Sequence, residues 1–194
     1  LELDPAAYEY TSTHLSAIIP EIGEPSIVRV GVQRQPDTRV HFVRSDGTVA
    51  VLLFDKVENI ICWFEIESDA ATGLIEDVVV LPGDEGSPED QVYYVVKRTV
   101  NGAAVRYLEK WALESACVGG SLNLQADSFV TYSGSPITAV TGLGHLEGQS
   151  VVVWADGLDV GTVVDSDGNR TQTYTVSGGQ ITLATAASNI VVGL

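Results

Sequence analysis

The sequence predicts an all-β chain. Antiparallel meander sheets of propeller-blade type come first, then a small β-barrel or sandwich domain, with a short helix at the N-terminus. Three observations carry this. Apolar and polar residues alternate with period two over most of the chain from Ile27 onward. Turn-forming clusters recur about every ten residues. No helical period falls between the strands, which excludes a βαβ arrangement. The 19 Gly and 7 Pro supply the turns, and a hydrophobic content of 45% supplies a core.

The first element is a helix expected over residues 4–19, "DPAAYEYTSTHLSAII". Asp4 is placed to cap it, Pro5 suits its first position, and Tyr8, Leu15, Ile18 and Ile19 make an apolar stripe. Pro20, Gly23 and Pro25 end it. From Ile27, Val28, Val30 and Val32 alternate with Arg29, Gly31 and Gln33 as a half-buried strand. "RVHFVRSDGTVAVLLFD" (39–55) reads as strand, Ser-Asp-Gly turn, strand. "ENIICWFEIES" (58–68) and "GLIEDVVVLPG" (73–83) are the next strands, followed by an acidic loop at 84–90. "QVYYVVKRTVNGAAVRYLEKW" (91–111) is a hairpin about Asn101-Gly102. Its echo of the hairpin at Gly47, each followed by a tryptophan (Trp63, Trp111), suggests one sheet unit used twice. Residues 114–134 read as a connection, and the chain is β again from Ser135. The organisation expected is 1–26 helix and connection, 27–113 blade-like β-domain, 114–134 connection, and 135–194 small C-terminal β-domain. The sequence has no Met, so residue 1 reads as the start of a cut or processed chain.

The net charge of −16 argues against unaided binding to phosphate backbones or anionic membranes. No apolar run is long enough to span a bilayer. Arg29, Arg34, Arg39 and Arg44 recur every five residues. An odd spacing sends successive side chains to opposite faces of straight strands, so the series reads as edge protection or ion pairing with carboxylates, not as a nucleic-acid stripe. Cys62 and Cys117 read as buried free thiols, and sequence does not place them within bonding distance.

Candidate chemistry is sparse. His14, His41 and His145 have no metal-ligand spacing. No GxSxG nucleophile elbow or phosphate loop is present. "DSDGN" (165–169) opens like a calcium loop, but Arg170 and Val176 stand where Gly and Glu are needed. Asp84, Glu85, Glu89 and Asp90 read as a solvated loop. Glu65, Glu67 and Asp69 offer carboxylates for glycoside hydrolysis, with Glu65 and Glu67 on one strand face, yet nothing marks an aromatic sugar cleft around them. The chain therefore reads as non-catalytic, with no catalytic, cofactor or metal residues.

The most distinctive stretch is "TGLGHLEGQSVVVWADG" (141–157). His145 and Glu147 lie between Gly144 and Gly148, ahead of a valine strand closed by Asp156-Gly157. One His and one Glu without a nucleophile make a poor catalytic set, so the stretch reads as a structural turn. With the following "VSGGQITLATAASNIVVGL", it resembles the later part of phage tail proteins of the nozzle or tail-tubular class, often called packaged-DNA stabilisation proteins. "VQRQPDTRVHFVRSDGTVAVLLFD", "IICWFEIESDAATGLIEDVVVLPG" and "VYYVVKRTVNGAAVRYLEKW" are similar to that family's strand-rich repeats. The resemblance covers roughly residues 30–194 and departs from the family pattern at Gly144, where an Asp is expected before the His.

The resemblance implies a virion structural protein longer than this chain. It would assemble as a ring of identical copies at the tail tip, in contact with neighbouring tail proteins. DNA would pass through without specific binding, and there would be no cofactor and no membrane insertion. An acidic lumen would repel the phosphate backbone. The alternative is a host-surface or carbohydrate-binding module of the tail. That role would need exposed aromatics, whereas Trp63, Trp111 and Trp154 sit in strands and read as buried.

Overall fold

The computed structural model describes residues 2–4, 9–11, 14–17, 19–68 and 73–194. The architecture is all-β, built from antiparallel sheets. Among the described residues no helix is long and apolar enough to cross a membrane.

The expected N-terminal helix does not form. β1 (Glu2–Asp4) pairs with β2 (Glu9–Thr11), Leu3 opposite Tyr10. A turn at 15–17 and a short 3-10 turn at Pro20–Gly23 follow. Asp4, expected as a cap, lies in β1; Pro5, Tyr8 and Ile18 lie outside the described residues. The local reason is the run Tyr10 to Thr13. Aromatic and β-branched residues lose side-chain freedom in a helix, and their hydroxyls compete for its backbone.

The first large sheet is a meander of β3 (Ile27–Gln33), β4 (Arg39–Arg44), β5 (Val49–Asp55) and β6 (Ile60–Ile66), in that order. The β4–β5 turn holds Gly47 at φ +88°, where a side chain would also collide with Leu74. The second sheet is β7 (Gly73–Leu81), β8 (Gln91–Val100) and β9 (Ala103–Lys110). Asn101 and Gly102 turn the β8–β9 hairpin with φ of 49° and 78°, as a two-residue loop of that sequence requires. The two units are unequal, four strands against three, and they share one core. Val43, Val49 and Val51 of the first sheet meet Ile75, Val92, Tyr94 and Val96 of the second. Period two sends these residues inward and their neighbours outward.

A connection with a 3-10 turn at Glu114–Ala116 leads to β10 (Val130–Thr141), which starts before Ser135. Then come β11 (Ser150–Ala155), β12 (Leu158–Asp159), β13 (Thr162–Val164), β14 (Arg170–Gln172), β15 (Tyr174–Thr175) and β16 (Gln180–Gly193). The sheet order is β10-β16-β11-β12, with β15 beside β11. No barrel closes. β16 lies between β10 and β11 and follows β10 through two register shifts, which bend the pair around a core of Val151, Val153, Ile190 and Val192.

Candidate functional site

Two of the buried polar residues, Ser68 and Arg98, meet where the sandwich joins the C-terminal sheet. Along β8 the inward row is Val92, Tyr94, Val96 and then Arg98, which is 2% exposed. A guanidinium on the apolar parity of a strand needs partners. Glu109, across on β9, takes Nε and Nη2 at 2.5 and 2.7 Å. Asp127, from the connection, accepts Nη2 at 2.8 Å and also the Ser68 hydroxyl at 2.7 Å. Asp127 further exchanges both backbone hydrogen bonds with Leu194. One residue thus ties the sandwich, the connection and the last strand together. Gly73 is required beneath this cluster, because a Cβ there would lie 2.2 Å from the Ser68 hydroxyl.

Beside the joint lies a cleft of about 670 Å³. Ile66, Tyr94, Tyr107, Trp111, Leu124 and Phe129 line it, with Glu67 and Lys110 among its charged residues. The aromatic cleft that the sequence did not mark is therefore present. Of the carboxylates weighed for hydrolysis, only Glu67 lines it, and Glu67 lies past the end of β6 rather than within it. Glu65 is bound to Arg44 at 2.7 Å, and Asp69 lies outside the described residues. Glu109, which also lines the cleft, is held by Arg98. Cys117 is half-buried rather than buried, and its thiol is raised above its ordinary pKa by burial and by the charges of Glu89 and Glu114. It stays protonated and is a poor nucleophile. Cys62 is exposed: it has the inward parity of Phe64 and Ile66 but lies near the end of an edge strand.

The histidines do not come together. His14 is exposed and contacts the Ser16 hydroxyl. His145 Nε2 donates to the Ser128 carbonyl at 2.9 Å. His41 is fully buried in the sandwich. Gln33 uses its amide N–H₂ on the Gln35 carbonyl, so its oxygen is left to accept from His41 Nε2 at 3.3 Å. His41 Nδ1 then accepts from the Tyr94 hydroxyl at 2.7 Å. Burial, and then the Arg39 charge, lower the His41 pKa from 6.5 to about 4. Arg39 is itself nearly buried, over the Trp111 ring and paired with Asp37 and Glu114. Arg29 pairs with Asp77 and Arg44 with Glu65, while Arg34 is exposed.

Other acidic residues hold backbone, while Glu76 pairs with Arg106. Asp84 accepts from Gly86 and Ser87, Asp90 from Arg34 and Gln35, and Glu89 from Glu114. Asp165 accepts from Asp167 and Asn169, which makes "DSDGN" a turn. Among the described residues no group of three or more His, Cys, Asp or Glu is placed to hold a metal.

Glu147 answers the question posed by "GHLEG". Its two oxygens accept the N–H groups of Gly178 and Gly179 at 2.9 and 2.7 Å, clamping the β15–β16 turn. Glu147→Ala is expected to lower stability by about 1–2 kcal/mol, and Glu147→Gln by about half that, since the amide keeps one acceptor. Urea unfolding checks both; a loss under about 0.5 kcal/mol for Glu147→Ala would leave the clamp without weight. The tryptophans are half-buried rather than buried. Trp63 and Trp154 donate their indole N–H to the carbonyls of Leu15 and Gly120, an anchoring use of the polar tip.

Sequence reasoning missed Arg98, Ser68 and Asp127. Arg98 carried a signal, a charge on the inward parity of a valine-rich strand. Ser68 and Asp127 carried none, because they meet Arg98 only through the tertiary fold. Compared with known proteins, the chain matches no family model and no curated sequence.

Proposed function

We propose that the chain is a non-catalytic structural segment of a phage virion tail, part of a ring or nozzle that guides or retains DNA. It would work beside copies of itself and neighbouring tail proteins. The observation that carries this reading is the use made of its ionisable groups. Glu147, Asp156, Asp165, Asp84 and Asp90 hold backbone N–H groups, and Glu109 and Asp127 hold Arg98. Groups engaged this way stabilise a shape and are not free for proton transfer. The ordered resemblance of four sequence segments to tail nozzle proteins supports the same reading. So do the outward apolar side chains of an otherwise acidic chain: Val30 and Val32 on β3, and Leu108 on β9. Exposed apolar rows of this kind suit contact with other proteins.

Negative-stain microscopy of the full tail protein, with and without residues 27–194, tests the proposal. Rings with a central hole are expected, and deletion should abolish them. Single particles without rings, at low and high salt, would overturn it.

A further inference from the structure

The two facing sheets differ by one strand, and the position of the difference is informative. β3 lies against β7, and β4 meets β8 where His41 touches Tyr94. On the other side β6 and β9 are the outer strands of their sheets, and among the described residues no strand pairs with the far edge of β9. The cleft of about 670 Å³ opens there, between Ile66 of β6, the free edge of β9 and the connection at 124–130.

The register of β9 shows what that edge offers. The Trp111 N–H bonds to the Val92 carbonyl, and Glu109, Tyr107 and Val105 stand opposite Tyr94, Val96 and Arg98. In an antiparallel ladder these odd residues exchange hydrogen bonds with β8, and the even ones point theirs away. Leu108 and Lys110 therefore direct N–H and C=O groups to the open edge, and both line the cleft. An unpaired edge beside an apolar wall is a template for another strand. The floor and walls are Ile66, Tyr94, Val96, Tyr107 and Phe129, which suit apolar side chains at alternate positions. The acids of the lining, Glu67, Glu109 and Asp127, face Lys110 and the buried Arg98 that pairs with two of them, which leaves one negative charge over in a chain of net charge −16. Charge complementarity thus asks for basic flanks on whatever enters.

We propose that this cleft receives an extended strand of a partner protein, apolar at alternate residues and flanked by Lys or Arg, which pairs with the free edge of β9. The proposal rests on the reading of the chain as an assembly module, and it names the chemistry of a partner. The entering strand completes the second sheet as a fourth strand beneath β6. Its backbone bonds supply affinity, and its alternate apolar side chains supply fit.

The probe is a synthetic peptide of about seven residues, close to a common strand length, alternating valine with threonine and ending in lysine at both ends. Amide hydrogen exchange of Leu108 and Lys110 is read by nuclear magnetic resonance. Saturating peptide is expected to slow both amides at least about tenfold, and glutamate in place of the end lysines is expected to weaken binding by about tenfold. Leu108→Pro removes one free edge N–H, a change that edge strands tolerate, and should abolish binding. Should that variant fail to fold, the same peptide N-methylated at alternate amides removes the same bonds from the other side and should protect neither residue. Absence of protection by the parent peptide, protection by the N-methylated one, or equal affinity for the glutamate-ended one would each overturn the proposal. Rings in the full tail protein without peptide binding would remove the strand site and leave the assembly reading. Peptide binding without rings would do the reverse.

Discussion

Arg98→Ala is expected to lower the unfolding free energy by about 3 kcal/mol, toward the lower end of the cost of breaking a buried ion pair from one side. The side chain is 2% exposed and makes three charge-assisted contacts, two to Glu109 and one to Asp127. Removing it leaves two carboxylates close together and without their cation. Their side chains are 22% and 31% exposed, so water can reach them, and this keeps the loss from being larger. The damage should not stay local. Asp127 is the residue whose backbone pairs with Leu194 and whose carboxylate binds Ser68, so its release loosens the C-terminal sheet from the sandwich. Urea unfolding should show a lower midpoint and a broader transition, as two domains that melted together begin to melt apart. The triple variant Arg98→Met, Glu109→Gln, Asp127→Asn removes all three charges and should recover part of the loss. A loss below about 1 kcal/mol in Arg98→Ala would mean that the network orients the joint without stabilising it.

How much of this was legible follows the range of the interactions. The β4–β5 and β8–β9 hairpins could be read directly, because alternation and an Asp-Gly or Asn-Gly turn are local and agree with each other. The helix expected over 4–19 shows the opposite case. Its capping and proline signals were local too, but the Tyr-Thr-Ser-Thr run favours extended backbone, and strand pairing with Glu2–Asp4 prevailed. The C-terminal sheet could be read as β but not in its order. β10 pairs with β16 across the whole domain, and nothing in either strand names the other. The same limit governs the joint. "GHLEG" was legible as a turn, while the partners of Glu147 lie 31 and 32 residues away. The cleft depends on how two sheets and a connection meet, so its aromatics could be identified as residues but not as a wall.

His41 gives the second large effect, and it is a pH dependence. The unfolded imidazole takes up a proton near its ordinary pKa of 6.5, and the folded one only near 4. Between these values the unfolded chain holds the extra proton, so acid favours unfolding. The contribution is complete above about pH 6.5 and falls through the window to its full loss near pH 4, about 3 kcal/mol in all. The cause is physical and nearby. Protonation would charge a ring with no exposed surface, facing Arg39, and would turn the acceptor Nδ1 against the Tyr94 hydroxyl. Asp46, Asp156 and Asp165 have carboxyls held below their ordinary range, and they weaken the fold only at lower pH. The window above about pH 4.5 therefore belongs mainly to His41. His41→Gln keeps an acceptor for Tyr94 and a donor for Gln33 but cannot titrate. Urea unfolding at about pH 7.5 and about pH 4.5 should show the parent losing about 2–3 kcal/mol and the variant less than about 1. Equal losses would assign the acid sensitivity to carboxylates and leave the buried imidazole without a part in it. A parent-specific loss would show that the polar cluster of Gln33, His41 and Tyr94 is stable only while its histidine is neutral.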